Sequence, residues 1–157
     1  MTLLDKWLEN LREIREELLE TTKSITSEEY TWEPKPGMKS AKALLTEIAA
    51  GEIWLNSFLT DPTQKVTWDD AFKQVKADDL PTIIMELDTL REKTIQQFKN
   101  LPEEDLLKEF EIAGQPDQKF SPEEAMRYTI QHEYYHLGQL IYNRWILGYN
   151  PYSEKKI

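Results

Sequence analysis

The chain has 157 residues, of which 39% are hydrophobic, and this allows one sizeable core with little room for a second. We therefore predict a single domain over residues 1–157. Lys and Arg number 19 against 29 Asp and Glu, and the resulting net charge of -10 repels polyphosphate backbones, so nucleic acid is not expected as a partner. The absence of cysteine excludes disulfides, thiolate metal ligands and a catalytic thiol.

No feature of the sequence predicts a membrane partner. No apolar stretch reaches the length that spans a bilayer. The first residues go directly into alternating apolar and charged side chains, without the basic start and apolar centre of a secretory signal. We therefore expect a cytoplasmic protein.

The first part of the chain predicts two long amphipathic helices. Apolar residues recur every three or four positions from residue 2 to about 23, and Thr2 can cap this helix. The prolines and the glycine of Thr31–Gly37 then interrupt the helical pattern. Ser40 can cap the second helix, which is expected to run from about residue 41 to 59.

The second part predicts two more long helices, separated by less regular segments. A weak helical pattern around Trp68 indicates a short crossover helix, and a strong pattern extends over residues 80–99. Residues 103–120 are expected to contain one helical turn and, at 108–112, an extended piece. The last helix begins with Ser121 as its cap, followed by a first-turn proline and acidic residues, and continues to about residue 147.

Four long amphipathic helices without a convincing strand pattern predict an all-α fold, a four-helix bundle with short crossover helices. In such bundles, metal and cofactor sites form from inward side chains of facing helices. The last helix carries polar side chains along a stripe that a bundle would bury: Thr129, His132, His136, Gln139 and Asn143. Because an unpaired buried polar group costs about 1 to 3 kcal/mol, this stripe predicts a functional site.

The chain has two histidines, and they lie four residues apart. On a helix, His132 and His136 project side by side from one face, and one divalent ion can be chelated by such a pair. The segment His132–His136 also matches the H-E-x-x-H pattern of zinc metalloproteases, whose glutamate is the general base. Those enzymes need a third ligand downstream and a sheet edge for the peptide, and neither is evident here. Glu133 is therefore expected in solvent or at a helix contact.

Two parts of the sequence resemble the DinB/YfiT-like superfamily. They are Trp32–Trp54, with its proline-glycine turn before the second long helix, and His132–Gln139 with the paired histidines. The resemblance implies a four-helix bundle that holds a divalent metal with three histidines, one from the second helix and two from the last. It also implies a homodimer. Some family members are transferases or isomerases that use a low-molecular-weight thiol such as bacillithiol or mycothiol, and many have no assigned activity.

The chain departs from the family pattern at one ligand position. The leucine-leucine-x-histidine-isoleucine segment of the family reads Leu44–Ile48 here, so Glu47 stands at the expected histidine. A carboxylate is a competent ligand, and Glu47 with His132 and His136 would leave positions open for water or substrate. Such a set suits zinc, nickel, iron(II) or manganese. Further side chains on the last helix could orient the histidines or a ligand: Tyr128, Tyr135, Gln139, Asn143 and Arg144.

The function implied by the resemblance is a divalent-metal-dependent enzyme, a thiol S-transferase or a hydrolase, acting on a small electrophilic molecule. Because the chain has no cysteine, a transferase would take its thiol from solution. Glu47 would reduce the positive charge of the metal centre, so thiolate activation is expected to be weaker than with three neutral histidines. The alternative is a non-catalytic, stress-associated bundle with a degenerate site, in which Glu47 pairs with His132 or His136.

Overall fold

A computed structural model describes residues 2–63, 66–112 and 115–150. Its elements, in chain order, are α1 (Leu3–Thr22), α2 (Ser27–Thr31), α3 (Ala41–Thr60), α4 (Trp68–Phe72), α5 (Leu80–Asn100), a 3₁₀ turn (Glu103–Asp105), β1 (Phe110–Ile112), β2 (Gln115–Phe120) and α6 (Pro122–Ile146). The long helices α1, α3, α5 and α6 form a four-helix bundle, which confirms the predicted fold class.

Capping residues fix the start of each long helix. In every case one side chain accepts a hydrogen bond from the backbone N–H three residues later: Thr2, Ser40, Asp79 and Ser121. At the start of α6 the carboxylate of Glu124 also accepts a bond from the N–H of Ser121, which completes a capping box. Helix α6 ends where Gly148 adopts a φ of +82°, a conformation that favours glycine.

Helix α3 lies at the centre of the bundle. It packs against α2, α4, α5 and α6, while α1 packs against α5 and α6. A helix that is covered on most sides has to be apolar around most of its circumference. Helix α3 has this character. Its buried apolar residues are Ala41, Leu44, Leu45, Ile48, Ala49, Ala50, Ile53, Trp54, Leu55 and Phe58. A polar side chain on α3 that faces the neighbouring helices is therefore an exception.

The buried apolar residues form two separate clusters, one toward each end of the bundle. In α1, for example, Leu8 and Leu11 belong to one cluster and Ile14 and Leu18 to the other. Each long helix therefore contributes one half to the first cluster and the other half to the second.

An antiparallel hairpin connects α5 to α6, and the sequence predicts only part of it. The extended piece expected at 108–112 corresponds to β1, whereas no pattern predicts β2, because that strand is polar and lacks alternation. Phe110 pairs with Phe120 across the hairpin. Their rings contact Phe58 and Trp54 of α3 edge to face, at centroid distances of 6.0 and 6.2 Å. These aromatic contacts hold the hairpin against the bundle.

The short helices also differ in how well the sequence predicts them. The crossover helix expected around Trp68 is confirmed as α4, whereas α2 lies in a segment expected to be turn-rich. A capping box between Thr26 and Glu29 stabilises α2. Within the described ranges, no helix has both the length and the apolar character needed to cross a membrane.

Candidate metal centre

Glu47 of α3 and the two histidines of α6 lie together. One ligand atom from each of the three side chains can be chosen so that all lie within 4.8 Å of one another. The Nε2 atom of His136 is 3.0 Å from Nε2 of His132 and 3.1 Å from Oε2 of Glu47. The structure thus brings together the three residues named from the sequence.

A hydrogen bond to Gln139 orients the ring of His136. The Nδ1 atom of His136 lies 2.8 Å from Oε1 of Gln139, which can only accept, so Nδ1–H donates. In the neutral ring the lone pair is then on Nε2, the atom that faces His132 and Glu47. Gln139, which lies about one turn further along α6, therefore aims the lone pair of His136 at the centre of the cluster.

Aromatic rings and a glycine position the ring of His132. Tyr128 stacks on it at a centroid distance of 5.9 Å, and Trp68 of α4 meets it edge to face at 5.5 Å. Gly51 of α3 provides the room, because a Cβ atom there would lie 3.2 Å from Nδ1 of His132 and 3.3 Å from the Trp68 ring. A side chain at position 51 would therefore have to push the His132 and Trp68 rings back by a few tenths of an ångström, and glycine avoids this.

Both histidines are held in the neutral form that binds metals. Burial, together with the neighbouring His136, lowers the pKa of His132 to about 4. Burial also lowers the pKa of His136, although the hydrogen bond to Gln139 and the charge of Glu47 act in the opposite direction. At pH 7 the two imidazoles are consequently neutral, each with one N–H and one free lone pair.

Lys39, a residue that no sequence pattern identifies, lies beside Glu47. Its Nζ atom is 2.5 Å from Oε1 and 2.6 Å from Oε2 of that carboxylate. The backbone carbonyl of Lys39 accepts a hydrogen bond from Nδ2 of Asn143 at 2.9 Å, so α6 fixes the segment that carries this lysine. Lys39 precedes α3 and lies outside any helical periodicity, and its place in the site therefore leaves no signal in the sequence.

The environment of Glu133 excludes the protease role of the H-E-x-x-H motif. Glu133 is only 1% exposed, and it forms ion pairs with Arg15 and Arg91. Burial would raise the pKa of Glu133, but the two arginines lower it below its ordinary value. The sequence predicts Glu133 either in solvent or at a contact between helices. The structure places it at a contact between helices. A carboxylate held in this way cannot act as a general base on a substrate.

The other side chains considered on α6 divide into two groups. Tyr128 and Tyr135 contact the histidine rings, and Gln139 orients one of them. Asn143 binds the backbone carbonyl of Lys39, and Arg144 binds Glu29 and Ser24, so these two join α6 to neighbouring segments instead.

The donor set fits a divalent transition metal. Two neutral imidazole nitrogens and one carboxylate oxygen face a common point, and this combination binds zinc and iron(II) in proteins. The three atoms are all electron-rich, so their close approach is favourable only if a proton or a cation lies among them. Lys39 supplies one positive charge to Glu47, and a metal ion would supply charge to all three.

Solved structures share the fold. YfiT from Bacillus subtilis, described as a probable metal-dependent hydrolase with an unusual four-helix bundle topology, superposes with a TM-score of 0.77 at 15% identity, over 95% of this chain and 91% of that one. A DinB-like protein from B. subtilis gives 0.71 at 20% identity, covering 97% of this chain and 96% of the other. A conserved protein from Enterococcus faecalis gives 0.73 at 20% identity, covering 95% and 99%.

The sequence itself shows the family. No curated protein matches the chain. The sequence pattern of the DinB superfamily, however, matches residues 10–140, which include all three residues of the candidate centre. Because this match covers much more than half of the chain, the protein belongs to the DinB superfamily.

Proposed function

We propose that the protein is a divalent-metal-dependent enzyme that acts on a small electrophilic molecule, with Glu47, His132 and His136 as metal ligands. The observation that carries this proposal is the approach of three ligand atoms to within 4.8 Å of one another, in a site that α3 and α6 build together. The description of YfiT as a probable metal-dependent hydrolase supports the same reaction class.

Each side chain has a distinct role in this proposal. His132 and His136 offer neutral nitrogens at pH 7, and Gln139 keeps one of them aimed inward. Glu47 offers an oxygen and reduces the net charge of the centre. When bound, the metal would supply Lewis acidity that activates a nucleophile or polarises the substrate. Three protein ligands leave room for a substrate, as in other catalytic sites.

Hydrolysis is the reaction we propose first, and thiol transfer is the alternative. Since the chain lacks cysteine, thiol transfer requires a low-molecular-weight thiol as a second substrate. Activated esters and alkyl halides, assayed with the metal-loaded protein with and without an added thiol, distinguish the two. Turnover without thiol supports hydrolysis, and turnover that depends on thiol supports transfer.

Metal content tests the ligand assignment. Tag-free protein, analysed by mass spectrometry for zinc, nickel, iron and manganese, is expected to contain about one metal ion per chain. His132→Ala and His136→Ala are each expected to lose it, because two ligands hold a divalent ion much less tightly than three. Wild-type protein without metal after incubation with each of the four ions would contradict the proposal.

The contact between Lys39 and Glu47 favours a second candidate, a non-catalytic bundle with a degenerate site. In this arrangement the lysine, rather than a metal, balances the charge of Glu47, and His136 contacts the same carboxylate. A protein of this kind would bind no metal in any variant. The metal analysis therefore separates the two candidates.

A further inference from the structure

We propose that four buried charged residues position the metal ligands by fixing the rotation of the helices that carry them. The residues, which we call the charge cluster, are Arg15, Glu52, Arg91 and Glu133. The inference rests on the proposed function, since it concerns the same centre. In it, these residues are positioning residues that do not contact the metal or the substrate.

The charge cluster takes one residue from each long helix. Arg15 lies on α1, Glu52 on α3, Arg91 on α5 and Glu133 on α6, and none is more than 2% exposed. Arg15 contacts Glu52 at 2.9 Å and Glu133 at 2.7 Å. Arg91 contacts Glu52 at 2.8 Å and also pairs with Glu133. Each arginine therefore binds both carboxylates, and the two positive and two negative charges cancel.

Reciprocal hydrogen bonds join the two arginine helices. Arg15 of α1 donates to the carbonyl of Leu87 on α5, and Arg91 of α5 donates to the carbonyl of Leu11 on α1 at 2.7 Å. Each accepting carbonyl belongs to the residue four positions before the other arginine. Because guanidinium donors are directional, a change in the rotation of either helix would break these bonds.

The two carboxylates connect this network to the metal ligands. Glu133 directly follows His132, and Glu52 directly follows Gly51, which lies against the His132 ring. Consecutive residues of a helix point about 100° apart, so the direction of Glu133 determines the direction of the neighbouring histidine. A rotation of α6 that released Glu133 would swing both imidazoles away from Glu47.

Stability does not explain why the charges are buried. Ion pairs in an interior lose their hydration, and apolar residues of similar volume often give a protein of equal or higher stability. Apolar side chains also tolerate small rotations that directional ion pairs do not. The charge cluster lies where the two apolar clusters of the bundle meet, between Leu11 and Ile14 of α1 and between Leu87 and Ile95 of α5.

An apolar replacement of the whole charge cluster tests the inference. The variant Arg15→Met, Glu52→Leu, Arg91→Met and Glu133→Leu is expected to fold with an unchanged or higher Tm. Its zinc affinity, measured by calorimetry, is expected to fall about tenfold or more, the range seen when residues that orient ligands are lost. The visible spectrum of its cobalt(II) form is expected to differ from wild type, because the ligand geometry changes.

A matched control removes an ion pair that joins α6 to α2, in which Arg144 is buried and Glu29 is partly buried. Glu29→Leu with Arg144→Met replaces such a pair, and its zinc affinity and cobalt spectrum are expected to match wild type. A second variant, Arg15→Lys with Arg91→Lys, keeps all charges but removes the guanidinium geometry, and it is expected to lose zinc affinity while remaining folded.

The outcomes separate this inference from the proposed function. If wild type binds no metal, the proposed function is wrong. Crystal structures of wild type and of the apolar variant would still show whether the charge cluster fixes the positions of the three side chains. The separation of His136 Nε2 and Glu47 Oε2, 3.1 Å in wild type, is then expected to increase. An apolar variant that fails to fold, or one that keeps wild-type ligand geometry and affinity, would overturn the inference.

Discussion

At the scale of single residues, Gly51 controls how closely α3 approaches His132. A Cβ atom at this position would lie 3.2 Å from the His132 ring and 3.3 Å from the Trp68 ring, which is tighter than most Cβ contacts in proteins. We predict that Gly51→Ala displaces the imidazole and lowers zinc affinity about tenfold, as other changes in ligand orientation do. Titration calorimetry of the metal-free protein measures the effect.

Gly138→Ala is the control for this prediction. Gly138 lies on α6. A Cβ atom added to it would have no atom within 4 Å apart from its chain neighbours and the backbone of its own helix, so an alanine there fits without a clash. The alanine is expected to leave zinc affinity unchanged and to add about 0.5 to 1 kcal/mol to the free energy of unfolding. Equal zinc affinities in the two alanine variants would argue against the role of Gly51.

Lys39 pairs with Glu47 and would compete with a metal for that carboxylate. Because like charges repel, we predict that Lys39→Met raises zinc affinity about tenfold, which corresponds to about 1.4 kcal/mol. Lys39→Arg keeps the charge and is expected to show no such gain. A lower affinity in Lys39→Met would instead mean that the lysine mainly holds Glu47 in place.

The low pKa of His132 predicts a loss of stability in acid. Burial and His136 lower this pKa to about 4 in the folded protein, whereas the ordinary value of 6.5 applies when the chain unfolds. Between these values only the unfolded chain binds the proton, so stability decreases as pH falls from about 6.5 toward 4. His132→Gln removes this contribution.

Urea unfolding of metal-free protein at about pH 7 and about pH 4.5 measures the effect. Wild type is expected to lose more free energy of unfolding between the two values than His132→Gln, since the acidic residues titrate in both proteins. An equal loss in the two proteins would contradict a lowered pKa in the folded state.

At the scale of elements, the start of α6 supports the helix that carries both histidines. The hydroxyl of Ser121 accepts a hydrogen bond from the N–H of Glu124 at 3.2 Å. We predict that Ser121→Ala lowers the free energy of unfolding by about 1 kcal/mol, while Ser121→Asn, which keeps an acceptor, changes it little. Urea unfolding compares the three proteins, and equal values for alanine and asparagine would show that the cap is dispensable.

The elements also show what can be predicted from the sequence. The four long helices are predictable because apolar spacing, capping residues and helix-ending glycine and proline agree. The strand β2 is not predictable, because most of its residues are polar. The hairpin is held instead by ring contacts of Phe110 in β1 and Phe120 in β2 with α3, which is distant in sequence. Tertiary contacts of this kind leave no periodic signal.

The same distinction applies to the candidate centre. The histidine spacing and the family segment around Glu47 identify three side chains from the sequence alone. Lys39 and Gly51 are not identified, because their roles depend on how α3 is placed against α6. The burial of Glu133 is likewise invisible in the sequence, since its partners lie on α1 and α5.

At the scale of the whole molecule, the charge cluster makes folding depend on balanced charges. Removing one partner leaves an uncompensated buried charge, at a cost of about 3 to 5 kcal/mol, a large share of the stability of an ordinary domain. We predict a loss of this size for Glu133→Gln. Glu111→Gln, at an exposed position of β1, is the control and is expected to change little. Similar urea midpoints for the two variants would contradict this prediction.

Anomalous X-ray scattering from crystals soaked in zinc shows whether Glu47, His132 and His136 hold one divalent ion. We predict one strong peak about 2.0 to 2.2 Å from Nε2 of each histidine and from a carboxylate oxygen of Glu47. Crystals whose zinc binds only at other carboxylates, with Lys39 still paired to Glu47, would contradict this ligand assignment.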